Sequence, residues 1–404
     1  MKLLATRVDV SPDEVRLVGT VQRDRATATE EVFFAFPAGF RSSLTESADP
    51  FLPALLVPCL KGGEDLQFVP PVSPRLLSRL GRIQDILLCW NPDFRRVRVT
   101  ARPRERQASA TASGVAALFS GGVDSFYTLL RSLAGPASDV PRLTHLVFLK
   151  GLEQPLEMSR GVAESQQRAQ EVAHEAGLTL IAGETNLRSR FSLNYELQYL
   201  GAAVAATTLP LSGVVGRLLV PSSNSYAQLV PQGSHPLLDE LWSTEQLEIL
   251  HHGAEATRVD KLSSLVARSP LALRYLRVCL ENAGGPANCG RCRKCARTML
   301  ALELLGVRSE ARTFPEAPRA RLLRALRTDY DEYLDELLNL ARSLQGEPAL
   351  ARLLGRESRR RRRRRALRLF MENTPYLSLS LPGIDRLRRR LRGRNIGLAR
   401  GNAS

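Results

Sequence analysis

The stretch Val115-Ala116-Ala117-Leu118-Phe119-Ser120-Gly121-Gly122-Val123-Asp124-Ser125-Phe126-Tyr127 decides how the rest of this sequence is read. Its first five residues are apolar, as in a strand buried on both faces. Ser-Gly-Gly then turns the chain, and Val123 opens a helix-prone run. A strand that feeds a glycine turn and then a helix aims several backbone N–H groups, and the positive end of the helix dipole, at one point. That is an anion site, and phosphate is its usual occupant. Gly121 and Gly122 carry no Cβ, so the backbone can close on such a ligand.

The turn lacks the Gly-Lys-Ser/Thr of a Walker A loop. It resembles instead the PP-loop of the adenine nucleotide alpha hydrolase (ATP pyrophosphatase) superfamily, whose signature Ser-Gly-Gly-x-Asp-Ser is met by residues 120–125. The resemblance implies that Phe119, Ser120, Gly121, Gly122, Val123, Asp124, Ser125, Phe126, Tyr127, Thr128 and Leu129 form the ATP loop. It also implies that ATP is cut between its α and β phosphates, giving AMP and pyrophosphate. Asp124 has two roles open to it, capping the helix and positioning Mg2+.

Downstream of the loop, strands and helices alternate. The pattern predicts strands at 143–149, 178–182, 217–221 and 247–250, and helices over 158–177, 193–209 and 259–267. Such alternation implies an α/β domain over 114–306, a Rossmann-like doubly wound parallel sheet with ligands at the carboxyl ends of its strands. Residues 197–216 carry no charge, but Thr207, Thr208, Pro210 and Ser212 suit a packed helix running into a strand rather than a membrane span. Arg7 and Asp9 interrupt any signal-peptide apolar run, so the expectation is a soluble, cytoplasmic chain.

Upstream, residues 1–106 show strand-like alternation at 16–21, 31–36 and 96–100, with a helix at 74–80. They are expected to form a small α+β accessory domain, closed by a polar linker at 107–113. Cys59 and Cys89 are isolated and read as small core residues.

The second strong motif is C-x9-C-x2-C-x2-C, formed by Cys279, Cys289, Cys292 and Cys295. Four of the six cysteines thus fall within seventeen residues, a density that points to metal rather than to disulfides. Four thiolates about 2.3 Å from Zn2+ would make a closed structural site. An iron–sulfur cluster is the rival, and the missing C-x3-C-P element favours zinc. Arg291, Arg293, Lys294 and Arg297 would offset the negative charge of the cluster.

A PP-loop domain followed by this cysteine pattern resembles the 7-cyano-7-deazaguanine synthase family of queuosine biosynthesis. In that family the cysteines bind zinc, and ATP activates a deazaguanine carboxylate for attack by ammonia. The resemblance implies an AMP-forming C–N ligase using ATP, Mg2+ and Zn2+ on a small-molecule carboxylate, a deazapurine or another acid. Two segments depart from the family. Leu149-Lys150-Gly151-Leu152 stands where a Tyr-x-Gln-Arg-His-like element is usual, and Thr185-Asn186-Leu187-Arg188-Ser189-Arg190 replaces a Pro-x-Arg-Asn element. Both shape the substrate side.

Polar residues between the motifs supply further candidates. Lys261, at the start of a helix, is a second phosphate contact. His235 and His252 could each handle a proton or hold the fold by hydrogen bonds. The alternatives to a ligase are a non-catalytic nucleotide-binding regulator, a nucleic-acid-binding scaffold and a tRNA-modifying enzyme. No cysteine outside the four lies near a motif, which argues against a sulfur-transferring thiolase.

The formal charge of +16 is concentrated in residues 351–404, where seventeen arginines face Glu357, Glu372 and Asp385. Residues 307–350 are expected to be helical. A helix over 347–372 would carry the run Arg359 to Arg365, and residues 381–394 add Arg386, Arg388, Arg389, Arg390, Arg392 and Arg394. Such a tail binds nucleic acid or an acidic protein by counterion release, or is simply a solvated basic segment.

Overall fold

The computed structural model describes residues 1–373 apart from 25, 45, 106–110, 136–139, 153–155, 157–158, 280, 282–287, 329–330 and 345–347. The strands β1 (Lys2–Val10), β2 (Glu14–Gln22) and β3 (Thr29–Pro37) form an antiparallel meander. One of its faces buries Leu17, Phe34 and Phe36 against α1 (Phe51–Gly62), a helix whose residues from Phe51 to Val57 are all inside. Gly63 ends that helix with φ of 67°, the left-handed C-cap that glycine adopts at least cost. After β4 (Leu66–Phe68), α2 (Pro74–Trp90) starts with proline at its first position and the Ser73 hydroxyl accepting from Leu76 N–H. Both are standard N-terminal signals. The two-residue β5 (Val99–Thr100) follows.

The central region runs β6 (Gly114–Leu118), α3 (Val123–Leu133), β7 (His145–Lys150), α4 (Ser159–Glu175), β8 (Thr179–Thr185), α5 (Leu187–Arg190), α6 (Leu200–Thr208) and β9 (Val215–Pro221). It continues through α7 (Pro236–Asp239), β10 (Glu248–His252), α8 (Arg258–Ser264), α9 (Pro270–Tyr275), α10 (Arg293–Leu304) and α11 (Arg319–Ala325). All ten strands join one mostly parallel sheet, in the order β10-β9-β6-β7-β8-β3-β2-β1-β4-β5. From β10 to β8 every neighbouring pair is parallel.

Strands with a period of two can bury both faces only if both sets of side chains are apolar. Here Ala116, Val147, Ile181 and Leu218 join the core with α1 and α6. Their neighbours Ala117, Leu146, Leu180 and Leu219 are buried on the other face, where α3 and α4 pack. The chain steps from β6 outward to β7 and β8, then returns to β9 on the far side of β6. The carboxyl ends of β6 and β9 therefore sit side by side where the direction of winding reverses, the place at which open α/β sheets leave a crevice.

The sheet runs straight past the boundary expected at 107–113. Its strand β3 pairs antiparallel with β8 through Phe34–Thr185 and Ala35–Glu184. Asn186 extends the seam, its Oδ1 accepting from Phe33 N–H at 3.1 Å and its Nδ2 donating to Glu31 O at 2.9 Å. Met1–Thr328 is accordingly one compact unit, and the second begins at Asp329, inside the segment expected to run from 307 to 350. An exposed strand edge needs a partner, and the local pattern of residues 1–106 does not say which strand supplies it.

The helix expected over 193–209 is also divided. A π turn at Tyr195–Tyr199 precedes α6, and Gly201 N–H bonds to Gly233 O at 2.8 Å instead of continuing the helix. No described helix is long and apolar enough to cross a membrane.

In the second unit, α12 (Asp331–Ser343) and α13 (Pro348–Asn373) pack through Leu334, Leu337 and Leu338 on one and Leu350 and Leu354 on the other. The Asp335 carboxylate accepts from Ser358 Oγ at 3.0 Å and Arg362 Nη2 at 2.9 Å. The arginines of 381–394 lie outside the described residues.

Candidate functional site

The β6–α3 turn occupies the crevice. Gly121 has φ of 76°, a conformation costly for a residue with a Cβ, whereas Gly122 is extended and caps α3. Beneath the turn, Phe119 and Phe126 meet edge to face at 5.0 Å, and Phe119 N–H bonds to Val147 O. Val123 and Leu129 are buried beside them. Ser125 Oγ donates to Gly122 O at 3.0 Å, which ties the first helical turn back to the loop. The rigid apolar underside fixes the direction of the exposed N–H groups above it.

Asp124 does not stand alone. Its Oδ2 lies 2.5 Å from Arg258 Nη2 and its Oδ1 3.3 Å from Lys261 Nζ. Burial opposes the charge on this carboxyl, but the two cations outweigh it and hold the group below the ordinary carboxylate range. Lys261 is 1 % exposed and also donates to Ser222 O at 2.6 Å. Burial lowers its ammonium from the usual value, against the pull of Asp124. Thr257 supplies the capping box that starts α8 and so places both Arg258 and Lys261.

The two candidate histidines go to different places. His252 Nδ1 is 2.9 Å from Thr128 Oγ1, and its carbonyl accepts from Ser222 N–H, so it adjoins the Asp124–Lys261 network. His235 instead caps α7, its Nδ1 accepting from Leu237 N–H at 3.0 Å, with its ring 4.8 Å from that of Trp90. Tyr127 donates to Glu255 Oε1 at 2.8 Å.

A cavity of about 230 Å³ opens at the carboxyl ends of β6, β7 and β9. Of the eleven loop residues named from the sequence, Phe119, Ser120, Asp124 and Ser125 line it; neither candidate histidine does. Val147, Val220, Leu200 and Val204 give it apolar walls, and Lys150, Gln232, Ser234 and Arg277 add polar groups. Lys150 is paired with Glu184 at 2.8 Å. Ser234 Oγ donates to Asp239 Oδ2, whose carboxylate is 1 % exposed and meets His251 Nδ1 at 2.7 Å.

A smaller recess adjoins the loop on the α4 side. Ser120, Gly121, Ser165, Arg168 and Arg277 border it. Burial first, and the like charge of Arg277 second, push the Arg168 guanidinium below its ordinary value, while Glu164 and Glu171 act the other way. Arg277 went unread in the sequence because it belongs to no motif. Its only signal was its place two residues before the first clustered cysteine.

The four cysteines converge. The sulfur atoms of Cys279, Cys289, Cys292 and Cys295 all lie within 4.8 Å of one another, with Cys289 and Cys295 at 3.9 Å. A tetrahedral ion about 2.3 Å from each sulfur would set the edges at about 3.8 Å, so the set could hold a metal such as zinc. Gly290, with φ of 64°, turns the chain so that Arg291 and Cys292 N–H groups face Cys289 Sγ at 3.5 and 3.3 Å. Cys295 N–H faces Cys292 Sγ at 3.4 Å. Four protein sulfurs would fill the coordination sphere and leave no open position for catalysis.

Asn288 braces the cluster. Its Oδ1 accepts from Val278 and Cys279 N–H, and its Nδ2 donates to Leu276 O and to Thr313. Compared with family models, with curated proteins and with solved structures, the chain matches none.

Proposed function

We propose that this chain is an ATP-dependent enzyme with a doubly wound PP-loop fold, an AMP-forming C–N ligase of the 7-cyano-7-deazaguanine synthase type. The observation that carries the proposal is the position of residues 120–125. They form a glycine turn and helix start at the carboxyl end of β6, next to the reversal in strand order and beside a cavity of about 230 Å³. The strand order β8-β7-β6-β9-β10 supports the doubly wound reading.

On this reading the loop N–H groups and the α3 N-terminus bind the departing pyrophosphate, and the cavity holds the nucleoside and the acid to be activated. Attack of the acid's carboxylate on the α phosphate would release pyrophosphate and give an acyl adenylate, from which ammonia would displace AMP to leave an amide. Adenylation of the amide oxygen by a second ATP, again with release of pyrophosphate, and loss of AMP and of the two amide protons would give the nitrile. Catalysis then comes from positioning and from neutralising charge at the leaving group. Mg2+, when bound with ATP, supplies further neutralisation of the phosphates. Asp124 serves as a brace that sets Arg258 and Lys261 behind the loop, since both its oxygens face those cations. A zinc ion on the cysteines would tie residues 276–279 to 288–295, and its thiolates suit a reducing compartment such as the cytoplasm.

The test is incubation with Mg-ATP, ammonium and 7-carboxy-7-deazaguanine, followed by mass spectrometry and pyrophosphate assay. AMP, pyrophosphate and the nitrile are expected together. AMP and pyrophosphate with a different carboxylate would move the substrate. Neither product with any carboxylate would overturn the enzyme reading and leave a nucleotide-binding regulator.

A further inference from the structure

Arg277 joins two parts of the molecule described separately above. Its backbone N–H donates to Gly121 O at 2.8 Å, so the residue is stitched to the glycine turn. Its side chain borders both the cavity and the recess that contains Arg168. Two residues later stands Cys279. The backbone from Leu276 to Cys279 is neither helix nor strand, and Asn288 and Thr313 hold it by side-chain hydrogen bonds. Asn288 in turn precedes Cys289.

We propose that the four-cysteine centre holds Arg277 at the glycine turn, and that Arg277 with Arg168 forms a site for the terminal diphosphate of a nucleoside triphosphate, so that metal and diphosphate binding are coupled. The proposal rests on the reading of residues 120–125 as a phosphate loop, and it adds the residues and the control that the loop motif does not specify.

The chemistry of the recess selects its ligand. Two guanidiniums, the Ser120 hydroxyl and the glycine turn supply donors, and none of the residues lining it is acidic. The recess itself holds only about 10 Å³, so a diphosphate would lie across its mouth against the glycine turn. Guanidiniums are planar forks matched to phosphate oxygens and stay charged throughout the physiological range. Holding two of them together costs repulsion, which a ligand carrying two or more negative charges relieves and a single carboxylate relieves less.

The coupling follows from what anchors the segment. Cys279 and Cys292 are almost fully buried and Cys295 completely so. Four sulfurs gathered this closely repel once ionised unless a cation sits among them. With the ion present, Cys279 and the Asn288–Cys289 corner are fixed to each other, and Arg277 is fixed with them. Without it, residues 276–279 keep only their hydrogen bonds. Coupling of this kind is reciprocal, so diphosphate must tighten metal binding by the factor by which metal tightens diphosphate binding.

The experiment is calorimetric titration of inorganic pyrophosphate, and separately of ATP, into zinc-loaded and chelator-stripped protein. A complementary measurement follows zinc transfer to a chromogenic chelator with and without pyrophosphate. We expect at least tenfold tighter pyrophosphate binding by the zinc-loaded form and slower zinc transfer when pyrophosphate is present. In zinc-loaded protein, Arg277→Ala is expected to keep one zinc per chain and an unchanged circular dichroism spectrum while losing tenfold or more in pyrophosphate affinity. Equal affinity of the two forms would overturn the coupling and leave the loop reading standing. No binding of ATP or pyrophosphate by either form would sink the loop reading itself. Where stripping unfolds the protein, the Arg277→Ala variant decides, and undiminished affinity there overturns the site.

Discussion

At Gly122 the protein's own packing does not require a missing Cβ. A methyl built there would meet Ser120 Oγ at 3.4 Å and Arg277 O at 3.8 Å, both ordinary contacts. The space is open toward the place where the N–H groups point. Gly122→Ala is therefore expected to change stability by less than about 1 kcal/mol, because reduced freedom of the unfolded chain offsets a poorer N-cap. ATP affinity should fall tenfold or more, and paired thermal melts and titrations check this. Asp124 poses the opposite case. Asp124→Asn leaves Lys261 buried without its counter-charge, and we expect a loss of about 3 kcal/mol at pH 7 in urea unfolding. The sign with pH is fixed by the depressed folded-state value of the carboxyl. Its stabilisation is full above the unfolded value, about 4, and drains away as pH falls through the lower folded value. The acid limb of the stability profile should flatten in the variant; an unchanged limb would show that Asp124 does not carry that dependence.

Among the elements, the ladder between β3 and β8 is only two residue pairs long, and Asn186 lengthens it with its side chain. Asn186→Ala strands Phe33 N–H and Glu31 O and should cost about 2 kcal/mol. A loss confined to the melting of an independent N-terminal piece would contradict the continuous sheet; one cooperative transition, shifted as a whole, is expected for Met1–Thr328. This seam also marks where the sequence stopped being legible. The alternation at 31–36 announces a strand, because Phe34 and Phe36 must be hidden. Period two says that a face is covered but does not name the strand that binds the edge. The parallel strands were readable for the converse reason: runs such as 115–119 and 218–221 are apolar on both faces and need a helix on each side. Likewise the cysteine spacing announced a cluster, since sulfurs three residues apart meet across one tight turn. Arg277 gave no such signal, because its role depends on Gly121, 156 positions earlier in the chain. Lys150, which lines the cavity, falls in the segment that the sequence already assigned to the substrate side.

Across the whole molecule, charge is divided as unevenly as structure. The α13 helix exposes Arg352, Arg356, Arg359, Arg360 and Arg363, and over 356–363 no exposed residue is apolar. A helix recognised in a protein groove needs apolar anchors three and four residues apart. Lacking them there, this stretch offers charge alone, and the proposal that it binds nucleic-acid phosphates is testable through salt dependence. Changing Arg359, Arg360 and Arg363 together to Gln keeps helix propensity while removing three charges. Duplex RNA affinity is expected to drop, and the slope of log affinity against log salt to shrink by about 2 to 3. Anisotropy titrations between 50 and 200 mM salt measure both, as order-of-magnitude conditions; an unchanged slope removes the helix as a binding element. The single sheet has a consequence of another kind, for the making of the protein. Strand β3 leaves the ribosome roughly 150 residues before β8, an interval of about 8–30 s at ordinary rates of synthesis. Through that time its outer edge has no partner, guarded only by Glu30, Glu31 and Pro37. The nascent N-terminal third must therefore wait, open to chaperones and to premature pairing, for a strand not yet translated.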